Sequence, residues 1–163
     1  MKENLIERKS SLRLKGFNYT GNYAYLVTCC TNKKKHYFQS KNITESMIKV
    51  LKETSSQFSF NVYAYCFMPD HLHILIIGSE NSSLHQFMKI FKQKSSFFFK
   101  KLCKDILWQR SYHDHVLRKE EALIDIALYI FNNPVRKGLV RDYKDYPYLG
   151  SFIFGGEELI GQT

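Results

Sequence analysis

The residue types that could do chemistry gather in a few short stretches. In His71-Leu72-His73, a strand would project both imidazoles from one face and send Leu72, Ile74 and Ile76 into the other, because side chains at i and i+2 point the same way. Two neutral imidazoles a few ångströms apart make half of a metal site, although the same pattern serves ordinary hydrogen-bonded strand histidines. Tyr129 and Asn133 stand four residues apart, on one face of a helix. The Asn133 amide oxygen would be an oxygen ligand beside two imidazoles, and the Tyr129 phenol would sit about one turn away as a nucleophile. A phenol with a reference pKa of ~10 attacks poorly unless a cation polarises the electrophile. Packing is the other common use of a helix tyrosine, in a chain with 11 of them. Asn133-Pro134 runs into Val135-Arg136-Lys137-Gly138, which reads either as a phosphate-contacting turn or as a plain helix stop. A second pair, His113 and His115, would share a strand face after Trp108-Gln109. It has no cysteine nearby to complete a zinc site, so DNA contact or sheet-edge hydrogen bonding suits it better.

These residues need elements to hold them. Tyr23–Thr31 is β-rich and follows a basic arm, Met1–Asn22, that shows no helix or strand period. Lys33–His36 is too polar for a core and reads as an exposed loop. Ile43–Phe58 is an amphipathic helix with Ile43, Met47, Val50 and Leu51 as its apolar stripe. Phe60–Met68 and His71–Ile77 are strands joined by a Pro69-Asp70 turn. Ser83–Lys104 is the longest helix, with Leu84, Phe87, Met88, Phe91, Ser95, Phe98 and Leu102 on its core face. Lys89, Lys92, Gln93, Ser96, Lys100 and Lys104 lie opposite. Ser111–Leu117 is a strand, and Lys119–Asn133 a helix that starts with Glu120 and Glu121 and stops at Pro134. This order predicts an α+β domain, ferredoxin-like βαββαβ, with an antiparallel sheet covered on one face and an additional C-terminal helix carrying the tyrosine.

The whole chain has 163 residues, 44% hydrophobic, enough for one domain over 1–163 with roughly 70% of its surface buried. Eight glycines and three prolines exclude collagen-like and low-complexity classes. No apolar run reaches the ~18 residues of a membrane span. The polar N-terminus lacks the apolar core of a secretory leader. Cys29, Cys30, Cys66 and Cys103 form no CxxC pair and read as small core residues of a reduced cytoplasmic protein. Formal net charge is +9. Met1–Ser40 and His85–Arg110 each carry a surplus of six positive charges, and the rest of the chain is slightly acidic. Such blocks suit a protein that neutralises phosphates. Arg13, Lys15, Lys33, Lys34, Lys35, Lys89, Lys92, Lys100, Arg136 and Lys137 are the candidate phosphate contacts.

Several segments together resemble a known family. Phe67-Met68-Pro69-Asp70-His71-Leu72-His73-Ile74-Leu75-Ile76 resembles the MPNHxHLLL strand of HUH single-tyrosine transposases. Tyr129 through Val140 is similar to their YIHxNPVRAGLV segment, and Trp108 through Arg118 to WQxxYxDHxIR. The Leu26-Val27-Thr28 strand matches as well, all in the family's order. REP-associated tyrosine transposases, relatives of the insertion-sequence-200-like enzymes, are the nearest subgroup by this resemblance. It implies Mg²⁺- or Mn²⁺-dependent cleavage and strand transfer on single-stranded or hairpin DNA, through a 5′-phosphotyrosine, during DNA transposition. By the same resemblance Tyr129 is the nucleophile, and His71, His73 and Asn133 are the metal ligands. The protein is then a cytoplasmic, nucleoid-associated monomer or homodimer.

Three departures stand out. Asp70 replaces the commoner Asn, where it would either bind metal weakly or bias the imidazole. Phe131 replaces a common His. The tail Tyr143–Thr163 is short. Two other functions fit parts of the sequence: a catalytically idle single-stranded nucleic-acid-binding module presenting Tyr63 and Tyr65, and a zinc-dependent hydrolase built on the histidine strand.

Overall fold

The computed structural model describes residues 14–118 and 122–154. Among the described residues the strands and α-helices, besides three short 3-10 turns, are β1 (Ala24–Cys30), α1 (Lys41–Gln57), β2 (Phe60–Met68), β3 (His71–Gly78), α2 (Leu84–Leu102), β4 (His113–Val116), α3 (Leu123–Phe131), α4 (Asn133–Arg136) and β5 (Leu149–Gly150). The sheet order is β4-β1-β3-β2-β5, and every neighbouring pair is antiparallel. Without β5 this is the strand order of a ferredoxin-like βαββαβ unit, as the sequence predicts. Among the described residues no helix is long and apolar enough to cross a membrane.

Strand alternation sorts the core into two layers. Tyr25, Val27 and Cys29 of β1 and Leu72, Ile74 and Ile76 of β3 meet the buried stripes of α1 and α2. On the opposite face Ala64, Cys66, Met68 and Leu75 meet Ala127, Ile130 and Phe131 of α3 and the turn beyond it. The sheet is therefore covered on both faces, not one. The helix that carries the tyrosine supplies the second cover, because its apolar stripe has to be buried somewhere.

Three further expectations are corrected. The α2 stripe ends on Phe99, which is fully buried, whereas Phe98 and Leu102 are 41% and 53% exposed. The helix end passes beside the Tyr37–Gln39 turn, and Phe99 packs edge-on against Tyr37 at 4.7 Å. The end of the supposed arm is part of the fold. Tyr19 is buried, and Thr20 bridges to Ser83. Pro134 does not stop the helical run. Asn132 (φ −80°, ψ 0°) makes a joint, and Pro134 lies in the first turn of α4, where a missing N–H goes unmissed. The start of the tail is ordered, since β5 pairs with β2 and Tyr146 Oη donates to the Phe67 carbonyl at 2.7 Å. Arg13, Glu120, Glu121 and the last part of the tail lie outside the described residues.

Candidate active site

A two-residue turn at Pro69-Asp70 closes the β2–β3 hairpin, with Met68 opposite His71. The turn is held from below. Asp70's carbonyl accepts from Thr31 N and Thr31 Oγ1, and Pro69's carbonyl accepts from Phe38 N. Strand alternation then fixes His71 and His73 on the same face as Leu75, beneath the α3 layer. Their ε nitrogens converge to 3.1 Å.

Each ring is oriented from behind. The Asp70 carboxylate accepts from His71 Nδ1–H at 2.5 Å, which leaves the lone pair on Nε2. Asp70 therefore biases the imidazole, one of its two expected roles. Thr28 Oγ1 lies 2.8 Å from His73 Nδ1. A hydroxyl can donate or accept, so Thr28 suits either tautomer of His73. With Nδ1 accepting, His73 donates Nε2–H to His71. With Nδ1 donating, both ε nitrogens present lone pairs to a shared cation. Burial is the main reason His71 is held below its ordinary pKa, and the cations of Lys34 and Lys137 add to it. Burial first, then the neighbouring His71 and Arg136, hold His73 down to about 3. Both imidazoles are thus in the neutral form that binds metal.

This arrangement fits a divalent cation: two convergent ε nitrogens, each ring fixed through its other nitrogen by an oxygen partner. Among the described residues no group of three or more His, Cys, Asp or Glu could hold a metal. Further donors to such a cation would have to be amide, solvent or substrate oxygens.

Tyr129 lies on α3, 41% exposed. Arg136, one element on, stacks its guanidinium 3.9 Å above the Tyr129 ring. Its nitrogens donate to the Tyr129 carbonyl at 3.1 Å and to Asn133 Oδ1 at 2.7 Å. The Asn133 oxygen faces Arg136 in this arrangement, and its Nδ2 is buried with no hydrogen-bond partner. Through Arg136, Tyr129 and Asn133 form one unit, and the guanidinium's charge reaches His73. The spacing of Tyr129 and Asn133 was visible in the sequence. The Arg136 bridge between them was not, since Arg136 read only as a phosphate contact.

The other candidates divide by location. Lys33 and Lys34 sit exposed on the loop beside the histidines, both with left-handed backbone. Lys35 pairs with Asp105. Lys15, Lys89, Lys100 and Lys137 are exposed. Lys92 is half-buried and donates to the Gln109 and Arg110 carbonyls, so it braces that loop. His113 pairs with Thr28 in register, and Thr28 with His73, which sets the second histidine pair on the same sheet face two strands away. Tyr63 and Tyr65 do not make an aromatic platform. A bulge between Val62 and Ala64 turns Tyr63 toward Phe154, while Tyr65 is buried on the opposite face against Phe67 and Phe152.

A ferredoxin-like sheet with paired strand histidines beneath a tyrosine-bearing helix defines the class of HUH single-tyrosine proteins. The family described as "Transposase IS200 like" matches residues 19–133, and the chain belongs to it. A Haemophilus influenzae protein assigned as a REP-associated tyrosine transposase is 31% identical over 109 residues, covering 60% of this chain and 62% of that relative. The match thus spans less than two thirds of that relative's length. An uncharacterized protein of the same organism is 25% identical over 162 residues, 80% of this chain and 90% of its own. Solved structures share the fold. A REP-associated tyrosine transposase bound to a REP hairpin superposes with a TM-score of 0.68 at 17% identity, over 84% of this chain and 81% of the other. A protein of Deinococcus radiodurans assigned as a transposase gives 0.53 at 23% identity, over 74% and 97%.

Proposed function

We propose that this protein cuts and rejoins single-stranded DNA at hairpin-forming repeat or insertion-sequence ends, through a covalent 5′-phosphotyrosine on Tyr129 and with Mg²⁺ or Mn²⁺. The observation that carries the reading is the pair of ε nitrogens 3.1 Å apart, each ring braced from behind, on the sheet face that α3 covers. Family membership supports it, as does the hairpin carried by the structural neighbour. His71 and His73 would hold the cation, and Asn133 would join them by exchanging its bond to Arg136. A divalent ion held there supplies charge neutralisation and orientation to the scissile phosphate.

The chain's own groups account for the remainder. Tyr129 Oη forms the bond to phosphorus as the bond to the 3′ oxygen breaks, leaving a free 3′-hydroxyl. Attack by a 3′-hydroxyl on the phosphotyrosine reverses the step, restores the phenol and needs no ATP. Lys34, Lys137 and Arg136 surround the histidines with positive charge, which favours a phosphodiester there. The test is a denaturing gel of the protein with a panel of 3′-labelled hairpin oligonucleotides, with and without Mn²⁺. A protein-linked band is expected only with Mn²⁺ and only with Tyr129 present. An undiminished band from Tyr129→Phe would refute the assignment.

A further inference from the structure

The last turns of α2 expose apolar groups that the core does not use. Phe97 is 59% exposed, Phe98 41%, Leu102 53%, and Ile106 just beyond the helix 60%. The two rings lie 5.8 Å apart in an edge-to-face arrangement. Lys101 Nζ stands over both, 4.5 Å from the centre of Phe97 and 5.5 Å from that of Phe98. Lys94, Lys100 and Lys104 complete the setting, and no acidic residue occurs from Ser83 to Lys104. Asp105, the first acid beyond, is already engaged by Lys35 and by the Tyr37 hydroxyl.

That engagement also locates the patch. Lys35 belongs to the loop whose Thr31 is bonded to Asp70 and whose Lys34 charge reaches both catalytic-strand histidines. Asp105, just beyond the patch, is thus tied to the loop that also flanks the candidate active site, while α2 itself covers the sheet face opposite the histidines. Aromatic faces on a helix rich in lysine and without acidic residues of its own match the chemistry of unpaired nucleotides: π-faces for bases and ammonium groups for phosphates. A second copy of this chain is a poor occupant, because a two-fold contact would set lysine against lysine.

Building on the function proposed above, we infer that Phe97 and Phe98 form an accessory stacking platform. It holds unpaired bases of the single-stranded segment that adjoins a hairpin, while Lys100, Lys101 and Lys104 take its phosphates. The test measures affinity for one hairpin with and without a single-stranded extension containing 2-aminopurine. The wild type should prefer the extended hairpin and quench the 2-aminopurine. Phe97→Ala/Phe98→Ala, at two exposed positions, should lower the ratio of the two affinities about 5- to 100-fold and abolish quenching, with an unchanged circular dichroism spectrum. Phe97→Leu/Phe98→Leu keeps the apolar area without the π-faces and should behave like the alanine pair. Retained quenching and an unchanged ratio in both variants would overturn the inference. So would a dimer in sedimentation that the alanine pair dissociates, which would make a second copy the occupant. Persistence of the covalent band in Tyr129→Phe would remove the active-site assignment and leave the stacking result standing, so the two failures are distinguishable.

Discussion

Arg136 carries the tightest constraint on the phenol. Its guanidinium stacks on Tyr129, donates to the Tyr129 carbonyl and holds Asn133 Oδ1. A planar fork can do all three at once, and an ammonium cannot. Arg136→Ala should slow formation of the covalent band about 10- to 100-fold, and Arg136→Lys should restore little of it. Affinity for the oligonucleotide should fall much less, and an equal loss in both measurements would make Arg136 a simple phosphate contact. Cys29 illustrates a different consequence of burial. Its thiol is pushed up to about 12 by desolvation, against 9.0 when free. Between those values the unfolded chain gives up a proton that the folded chain keeps, so stability falls as pH rises from 9 toward 12. Tyr25, Tyr65 and Tyr146, raised chiefly by burial, act in the same direction. Urea midpoints for Cys29→Ala should therefore decline less steeply above pH 9 than those of the parent, and parallel curves would contradict this.

At the level of elements, α2 is tied to the segment before β4 by a buried polar bond. Trp108 Nε1 donates to Ser95 Oγ at 2.7 Å, and Ser95 Oγ donates to the Phe91 carbonyl at 2.6 Å. Ser95→Ala would strand the indole N–H away from water, which costs about 1–3 kcal/mol. The urea midpoint should drop with an unchanged slope, and no change would mean that Trp108 finds another acceptor. This bond also shows why some of the architecture was legible and some was not. Ser95 sits at the right phase of a strong helical period, so its burial could be read, and the hairpin around Pro69-Asp70 was equally plain. Phe98 and Phe99 lie on either side of that stripe's centre, and only contact with Tyr37 selects Phe99. The bulge in β2 reverses the sense of Tyr63, and a two-residue strand such as β5 has no period to detect. The histidine pair was visible because i and i+2 is a local rule. Its bracing by Thr28 and the linking of Tyr129 to Asn133 by Arg136 depend on register and on a helix joint, which are non-local.

For the molecule as a whole, net charge overstates the number of cations available to a DNA strand. Of the ten candidate contacts, Lys35 is paired with Asp105, Lys92 holds two carbonyls, and Arg136 is committed to Tyr129 and Asn133. Lys15, Lys33, Lys34, Lys89, Lys100 and Lys137 are exposed. Each phosphate neutralised on a single strand contributes about −0.7 to the slope of log affinity against log salt. Full use of ten contacts would give a slope near −7, and the six exposed lysines together would give about −4. A titration of single-stranded oligonucleotide between roughly 50 and 300 mM salt separates the two, in a Lys101→Ala/Lys104→Ala background that removes the two further phosphate contacts inferred at the end of α2. The shallower slope is expected, and charge reversal at one exposed member, Lys89→Glu, should reduce it by about one more unit. A slope steeper than about −6 would mean that DNA breaks the Lys35–Asp105 pair and draws Arg136 from Asn133. Binding would then itself release the amide proposed to join the histidines at the cation, and the resting bridge through Arg136 would be a latch opened by substrate.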